Sequence, residues 1–269
     1  MNSFKLYHLK AFFFILFCCI VCLGFGQKPV EYNRETSYGI HFSSMGGTIG
    51  GIDFKKAWLI DDLNENRTAS VQVSLAELKH AKESDVAFGD LDSFKPGKSN
   101  GLYVLRSSIA IEHTLFKKYH EDGIKLNLIL GGGLNIGFLK PYYVEYVVEI
   151  DPNTNILITD FAQYDPNVHN LDLNGSTAGT VISSGGFFKG FDGIKVRPGL
   201  NAKIAMSFEF GEYKSSLQGI EIGFLTDIFT ERMVTFPEAK NKFLFTSGYV
   251  GIFYGRRKYK KPKDFREYR

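Results

Sequence analysis

Leu200-Asn201-Ala202-Lys203-Ile204-Ala205-Met206-Ser207-Phe208-Glu209-Phe210 alternates: every even position is apolar, and Asn201, Lys203, Ser207 and Glu209 occupy odd ones. Successive side chains of a β-strand point to opposite faces, so an extended chain through these residues has one greasy face and one polar, charged face. A strand of this length suits a bilayer, which needs about 9 to 11 residues, better than a globular sheet, whose strands usually have about 5 to 6.

The same contrast recurs on both sides of this segment. From Tyr38 the even positions run Tyr38, Ile40, Phe42, Ser44, Gly46, Thr48, Gly50, Ile52 and Phe54, against Ser37, His41, Ser43, Asp53 and Lys55. Val71, Val73 and Leu75 oppose Ser70, Gln72 and Ser74; Tyr103, Leu105, Ile109, Ile111 and Leu115 oppose Arg106, Ser108, Glu112 and Thr114. Ile124, Leu126, Leu128, Leu130, Leu134, Ile136 and Phe138 oppose Lys125, Asn127 and Asn135, and Ile220, Ile222, Phe224 and Ile228 oppose Glu221 and Asp227. Phe243, Phe245, Tyr249 and Phe253 against Thr246, Gly248 and Val250 give a weaker version.

The greasy face has two potential homes, the core of a soluble sandwich or lipocalin, or the lipid around a membrane barrel. Strand length, and charges at mid-strand on the polar face, favour the barrel. The expected fold is all-β: an antiparallel up-and-down transmembrane β-barrel of eight strands, over 37–56, 68–78, 101–116, 123–139, 155–163, 196–211, 218–230 and 242–255. With both ends periplasmic, 57–67, 117–122, 164–195 and 231–241 face outward, and 151–154 and 212–217 are inner turns. The polar stretch 79–100 is then an unusually long inner connection. Pro141 cannot donate to a ladder, so the strand through Ile124 ends or bulges there. The region 140–164 reads equally well as a continuous strand or as a hairpin projecting beyond the membrane.

Residues 1–26 read as a secretory signal peptide: Lys5 and Lys10 precede an apolar run from Ala11 to Leu23, and Gly24-Phe25-Gly26 offers small residues ahead of a cut at Gln27. The run is too short to span a bilayer as a helix. Cys18, Cys19 and Cys22 follow residues unsuited to lipoprotein processing, and cleavage removes all 3 cysteines, excluding disulfides and thiolate chemistry from the mature chain. The whole sequence holds 32 basic and 29 acidic residues, too even a balance to argue for nucleic-acid binding. Gly255 to Arg269 nevertheless carries 8 basic residues and 2 acids. The division is therefore a signal peptide at 1–26, a barrel at 27–255, and a basic periplasmic tail at 256–269.

Several pieces resemble a family of Bacteroidota outer-membrane β-barrel proteins over roughly 37–258. They are Leu78-Lys79-His80 with Lys82-Glu83, Leu105-Arg106, Leu139-Lys140-Pro141, Tyr164-Asp165-Pro166 with His169, Phe187-Phe188-Lys189-Gly190-Phe191-Asp192 with Ile194-Lys195, Pro198-Gly199-Leu200, Phe208-Glu209-Phe210-Gly211 and Tyr254-Gly255-Arg256-Arg257. The resemblance implies outer-membrane location and barrel fold and transfers no mechanism.

The polar face places Arg106, Glu112, Lys125, Lys203, Glu209 and Glu221 in the lumen, three of each sign, where mutual pairing would seal a narrow barrel. Phe187, Phe188 and Phe191 on a glycine-rich loop, with Arg256, Arg257, Lys258, Lys260 and Lys261 in the tail, are the candidates for binding partners or lipid. His41 and Ser43 share a face and, with Glu112 or Glu209, are the only basis for a lipid- or peptide-hydrolysing barrel; a narrow channel is the other alternative. His80, His113, His120 and His169 lack close metal-ligand spacing, and Asp165, His169 and Asp172 read as loop chemistry. The sequence calls for no metal, no cofactor and no nucleic acid. Its expected partners are outer-membrane lipids and other envelope proteins, and its expected role is that of a sealed structural or accessory subunit.

Overall fold

The computed structural model describes residues 32–46, 50–60, 66–86, 93–117, 123–150, 156–169, 177–210 and 215–259; the signal peptide reading, His120, Asp172, Lys260 and Lys261 lie outside them. Eight antiparallel strands form a closed barrel: β1 (Tyr32–Ser43), β2 (Gly51–Leu59), β3 (Arg67–Leu78), β4 (Asn100–Phe116), β5 (Lys125–Pro141), β9 (Lys195–Glu209), β10 (Ser216–Phe229) and β11 (Leu244–Tyr259). Wall neighbours follow chain order, and β1 closes the wall, pairing Ile40 with Ile52 of β2 on one side and with Ile252 of β11 on the other. Between β5 and β9 the chain leaves the wall and builds a separate sheet in the order β7 (Leu157–Gln163), β6 (Tyr143–Ile150), β8 (Val181–Ser184).

Burial alternates along the wall as the residue pattern requires, with the greasy side outward. On β4 the buried positions include Arg106, Ser108, Glu112 and Thr114, whereas Ile109 and Ile111 are 66% and 55% exposed. Leu134, Ile204, Phe224 and Ile252 continue this apolar exterior around the wall. A barrel with ions inside and aliphatic side chains outside is inverted relative to a water-soluble fold, and its exterior needs hydrocarbon as solvent. Closure also leaves no wall strand with a free edge, as lipid demands.

Two expectations about the strands are corrected. The segment 37–56 is two strands, β1 and β2, joined at residues 44–50. The antiparallel register pairs even with even, Tyr38↔Phe54 and Ile40↔Ile52, so alternation runs through the turn without a phase change and conceals it. The segment 155–163 contributes β7, which belongs to the separate sheet and not to the wall. The count of eight survives because one split strand offsets one lost.

Sidedness changes accordingly. The start of β1, the end of β11 and the β2–β3, β4–β5 and β9–β10 connections share one end, the terminal end. The β1–β2, β3–β4, β5–β9 and β10–β11 connections share the other, the loop end. Thus the β3–β4 connection joins the loop end instead of forming an anomalous inner connection, while β2 meets β3 and β4 meets β5 at the terminal end. Pro141 closes β5, and the β6–β7 hairpin projects beyond the wall. On β11, Phe245 and Tyr249 face inward, contrary to the expected greasy face, while Val250, Ile252 and Tyr254 face out.

Candidate functional site

Inward side chains meet in the lumen, some from adjacent strands and others from strands that face each other across it. Arg106 on β4 donates to Asp227 on β10 from Nε at 2.9 Å and from Nη2 at 2.7 Å, and Asn135 Nδ2 donates to the same carboxylate at 2.8 Å. Lys55 on β2 donates to Glu112 on β4 at 3.0 Å. Lys203 on β9 donates to Glu221 at 2.8 Å and to Gln72 on β3 at 2.5 Å, and the Tyr249 hydroxyl donates to Glu221 at 2.5 Å. Arg257 on β11 donates to Glu35 at 2.7 Å and to Glu209, which also accepts from Asn127 at 2.7 Å and lies 3.6 Å from Lys125 Nζ.

The structure therefore brings Arg106, Glu112, Lys125, Lys203, Glu209 and Glu221 into the lumen, each against an opposite charge. It adds Glu35, Asp53, Lys55, Asp227 and Arg257. Asp53, Lys55 and Asp227 carry the inward parity of their strands, a signal visible in the sequence; Glu35 precedes the strand start expected at Ser37. Arg257 is a correction, because it occupies an inward position of β11 and is engaged by Glu35 and Glu209, which removes it from any lipid or partner surface. Arg256 and Lys258 are exposed on the same strand, which runs to Tyr259 and so includes the first residues of the expected tail.

His41 Nδ1 lies 2.6 Å from Asp53 Oδ2, and its ring meets Tyr249 edge-on at 5.8 Å. Glu112 and Glu209, the acids considered for a triad with His41 and Ser43, are held by Lys55 and by Arg257. Beside Asp53, Lys55, Gln72 and Glu221 a cavity of about 30 Å³ remains, room for about one water. Towards the loop end the lumen turns apolar: Leu78, Leu102, Val104, Leu139, Phe229, Met233 and Phe245 pack into one buried cluster.

Above that cluster stands a folded head. Phe94, Val144, Tyr164 and Val181 form its core, with Tyr142 against them, and Val86 bridges to Phe94. Segment 79–99 ties this head to the rim: the Lys95 amide donates to the Tyr142 hydroxyl, the Tyr142 amide to the Ser99 carbonyl, and the Ser99 amide to the Thr235 carbonyl. The 185–193 turn is pinned at Gly190, whose φ of 83° suits glycine, and by Lys140, which donates to the Phe187 carbonyl and lies 4.8 and 5.0 Å from the Phe187 and Phe191 ring centres. Phe188 is 87% exposed. A cleft of about 260 Å³ opens between head and rim, lined in part by Glu77, Asp85, Lys95, Lys98, Tyr103 and Lys140.

Asp165 Oδ1 accepts from the Asn167 amide, and His169 Nδ1 accepts from the Asp165 amide at 3.0 Å while its ring packs between Tyr146 and Tyr164; these residues build a turn. No group of three histidine, cysteine or acidic residues suited to a metal occurs among the described residues.

Glu83 accepts from two of the lysines that line the cleft, Lys95 at 2.5 Å and Lys98 at 2.8 Å. Burial alone would raise its pKa, but the two ammonium groups outweigh that effect and hold it below the ordinary 4.5. Burial, together with Lys95, lowers that of Lys98 against the pull of Glu83 and Glu77. A depressed carboxylate contributes stability that is complete above its unfolded value and is lost as pH falls through the folded one. Limited proteolysis of 79–99 should therefore accelerate as pH falls below about 4.5, and Glu83→Gln should remove most of that dependence. An unchanged pH profile in the variant would refute the assignment.

No protein-family model matches the chain, and no curated protein matches it. Among solved structures it is similar to Neisserial surface protein A, at 10% identity over 84% of this chain and 94% of that one, with a TM-score of 0.36. It is likewise similar to Ail, the attachment invasion locus protein of Yersinia pestis, in complex with the heparin analogue sucrose octasulfate, at 10% identity over 85% and 99% with a TM-score of 0.38. The N-terminal β-barrel domain of Pseudomonas aeruginosa OprF aligns at 7% identity over 85% and 99%, with a TM-score of 0.34.

Proposed function

We propose that the chain is a sealed barrel of the Bacteroidota outer-membrane kind it resembles, and that it acts as a structural or accessory subunit of an envelope assembly. Its work lies in what the loop end holds clear of the bilayer. One observation carries this reading: charge and hydrocarbon fill the barrel's interior, while the insertion between β5 and β9 is folded and carries exposed aromatic rings. In single-chain barrels of this class the short turns are periplasmic and the long loops extracellular, which puts the head outside and both strand termini inside. Phe187, Phe188 and Phe191 are the contact residues of choice. The tail beyond Tyr259, with Lys260 and Lys261, adds a cationic periplasmic contact.

Purification in mild detergent should recover a stoichiometric envelope protein, and changing Phe187, Phe188 and Phe191 together to serine should lower its recovery at least about ten-fold, the size of a small cluster of aromatic hot spots. A barrel that purifies alone from native membranes would overturn the accessory role. In planar bilayers the wild type should show no discrete openings; a stable conductance would overturn the sealed lumen and favour the channel reading. Hydrolysis of lipopolysaccharide or peptide that disappears in His41→Ala would favour the enzyme reading instead.

A further inference from the structure

The strands β2, β1 and β11 treat their two faces differently. Inward, Glu35, Lys55 and Arg257 all have opposite-charge partners. Outward, Arg34, Lys56, Arg256 and Lys258 are exposed, and among the described residues none of the four is paired with a carboxylate. The register puts them side by side. Arg34 stands opposite Lys258 on one flank and Trp58 on the other, and Thr36 stands between Lys56 and Arg256. With strands about 4.8 Å apart, four cations share a patch three strands wide. Like charges directly opposite one another are unfavourable, so an anion between them would relieve a cost built into the wall.

The neighbouring rows identify the depth. Next along the wall, Tyr38 is flanked by Phe54 and Tyr254, with the two tyrosine rings edge to face at 5.8 Å, and after that Ile40 by Ile52 and Ile252. Cations, then amphipathic rings, then aliphatic side chains is the order met on passing from headgroups into hydrocarbon. The anion found at that level of a bilayer is a lipid phosphate.

We propose that Arg34, Lys56, Arg256 and Lys258, with the Thr36 hydroxyl between them, form a site for the phosphate of an anionic phospholipid headgroup at the terminal end of the barrel. The site rests on the wall being lipid-facing and is independent of any partner of the head.

The test uses the full chain, folded in neutral detergent and titrated with phosphatidylglycerol or phosphatidylcholine, with retained lipid read by native mass spectrometry. Wild type should hold phosphatidylglycerol more strongly by at least about a hundred-fold, as expected when four basic groups each favour an anionic surface about five-fold. Arg34→Gln with Arg256→Gln should weaken that retention about thirty-fold and leave phosphatidylcholine unchanged, whereas Lys240→Gln with Lys242→Gln, at the loop end, should do nothing. Heat-dependent migration in gels reports whether each variant is folded; if the double variant is not, Lys258→Gln alone should lose about five-fold. Equal retention of the two lipids, or retention indifferent to these changes in a folded barrel, overturns the site. Displacement by inorganic phosphate at equal concentration would assign the patch to a free anion and overturn the lipid. If the wall were not lipid-facing, the wild type would remain folded and monodisperse without detergent, which separates that failure from failure of the site.

Discussion

Asp227→Ala should cost about 3–5 kcal/mol of folding stability, because it leaves the Arg106 guanidinium buried without its counter-charge. Arg106 is 2% exposed and Asp227 1%, and the carboxylate accepts two bonds from Arg106 and one from Asn135. Among the described residues Arg106 Nη1 has no hydrogen-bond partner, so none of them stands ready to replace the lost carboxylate there. Urea titration of the barrel in vesicles, followed by heat-dependent migration, measures the loss. A loss below about 1 kcal/mol, the scale of an exposed pair, would mean that water reaches the site. The companion variant Arg106→Met with Asp227→Leu should regain most of the loss, because replacing both members of a buried pair by apolar groups is often neutral or better.

Gly133→Ala should be the other large effect, about 1–3 kcal/mol from overpacking alone. Its Cβ would strike the Ser107 carbonyl oxygen and lie 2.8 Å from Ser108 Cα, both in the backbone of the partner strand, so no rotamer change relieves it. Gly248 provides the matched control on β11, since a Cβ there meets only the Phe224 ring at 3.7 Å. Gly248→Ala should stay within about 0.5 kcal/mol, as surface changes usually do. Equal losses in the two variants would show that the sheet relaxes around residue 133 and that the close approach of β4 and β5 has no energetic weight.

The alternation of Leu200 to Phe210 was enough to read a membrane strand, because in this fold residue polarity and face are linked by the solvent on each side. Inward charge at Arg106, Lys203 and Glu221 was legible for the same reason. Two things were not. A turn that pairs even with even preserves phase, so β1 and β2 read as one. Hydrophobicity also reports poorly on a narrow lumen. Phe245, Tyr249 and Phe253 are greasy yet point inward, where small neighbours make room: a Cβ at Gly219 would lie 2.6 Å from the Phe253 ring, and one at Gly137 would lie 2.8 Å from that of Phe229. Interior positions of small barrels alternate large and small residues to fill the taper, and such pairing across strands leaves no periodic trace along one. The aromatic loop at 187–191 was visible, but its anchoring by Lys140 was not, because the contact joins residues 47 apart in sequence. Arg256 and Arg257 make the limit plain. Adjacent and chemically identical, they face opposite solvents, and only the strand's continuation past Gly255 reveals it.

Glu35 and Arg257 are 222 residues apart in sequence, yet their ion pair lies on the seam where the first wall strand meets the last. Ribosomal synthesis releases Glu35 first, 222 residues ahead of Arg257. Until the final ribbon arrives, Glu35 lacks the Arg257 guanidinium, and the backbone groups along the open edges of β1 and β10 have no partners and would face oil if inserted. Stepwise threading into the bilayer therefore leaves these edge groups unpaired in hydrocarbon until the wall closes. Biogenesis should be a single concerted event, with the nascent polypeptide held in water until both rims can zip together.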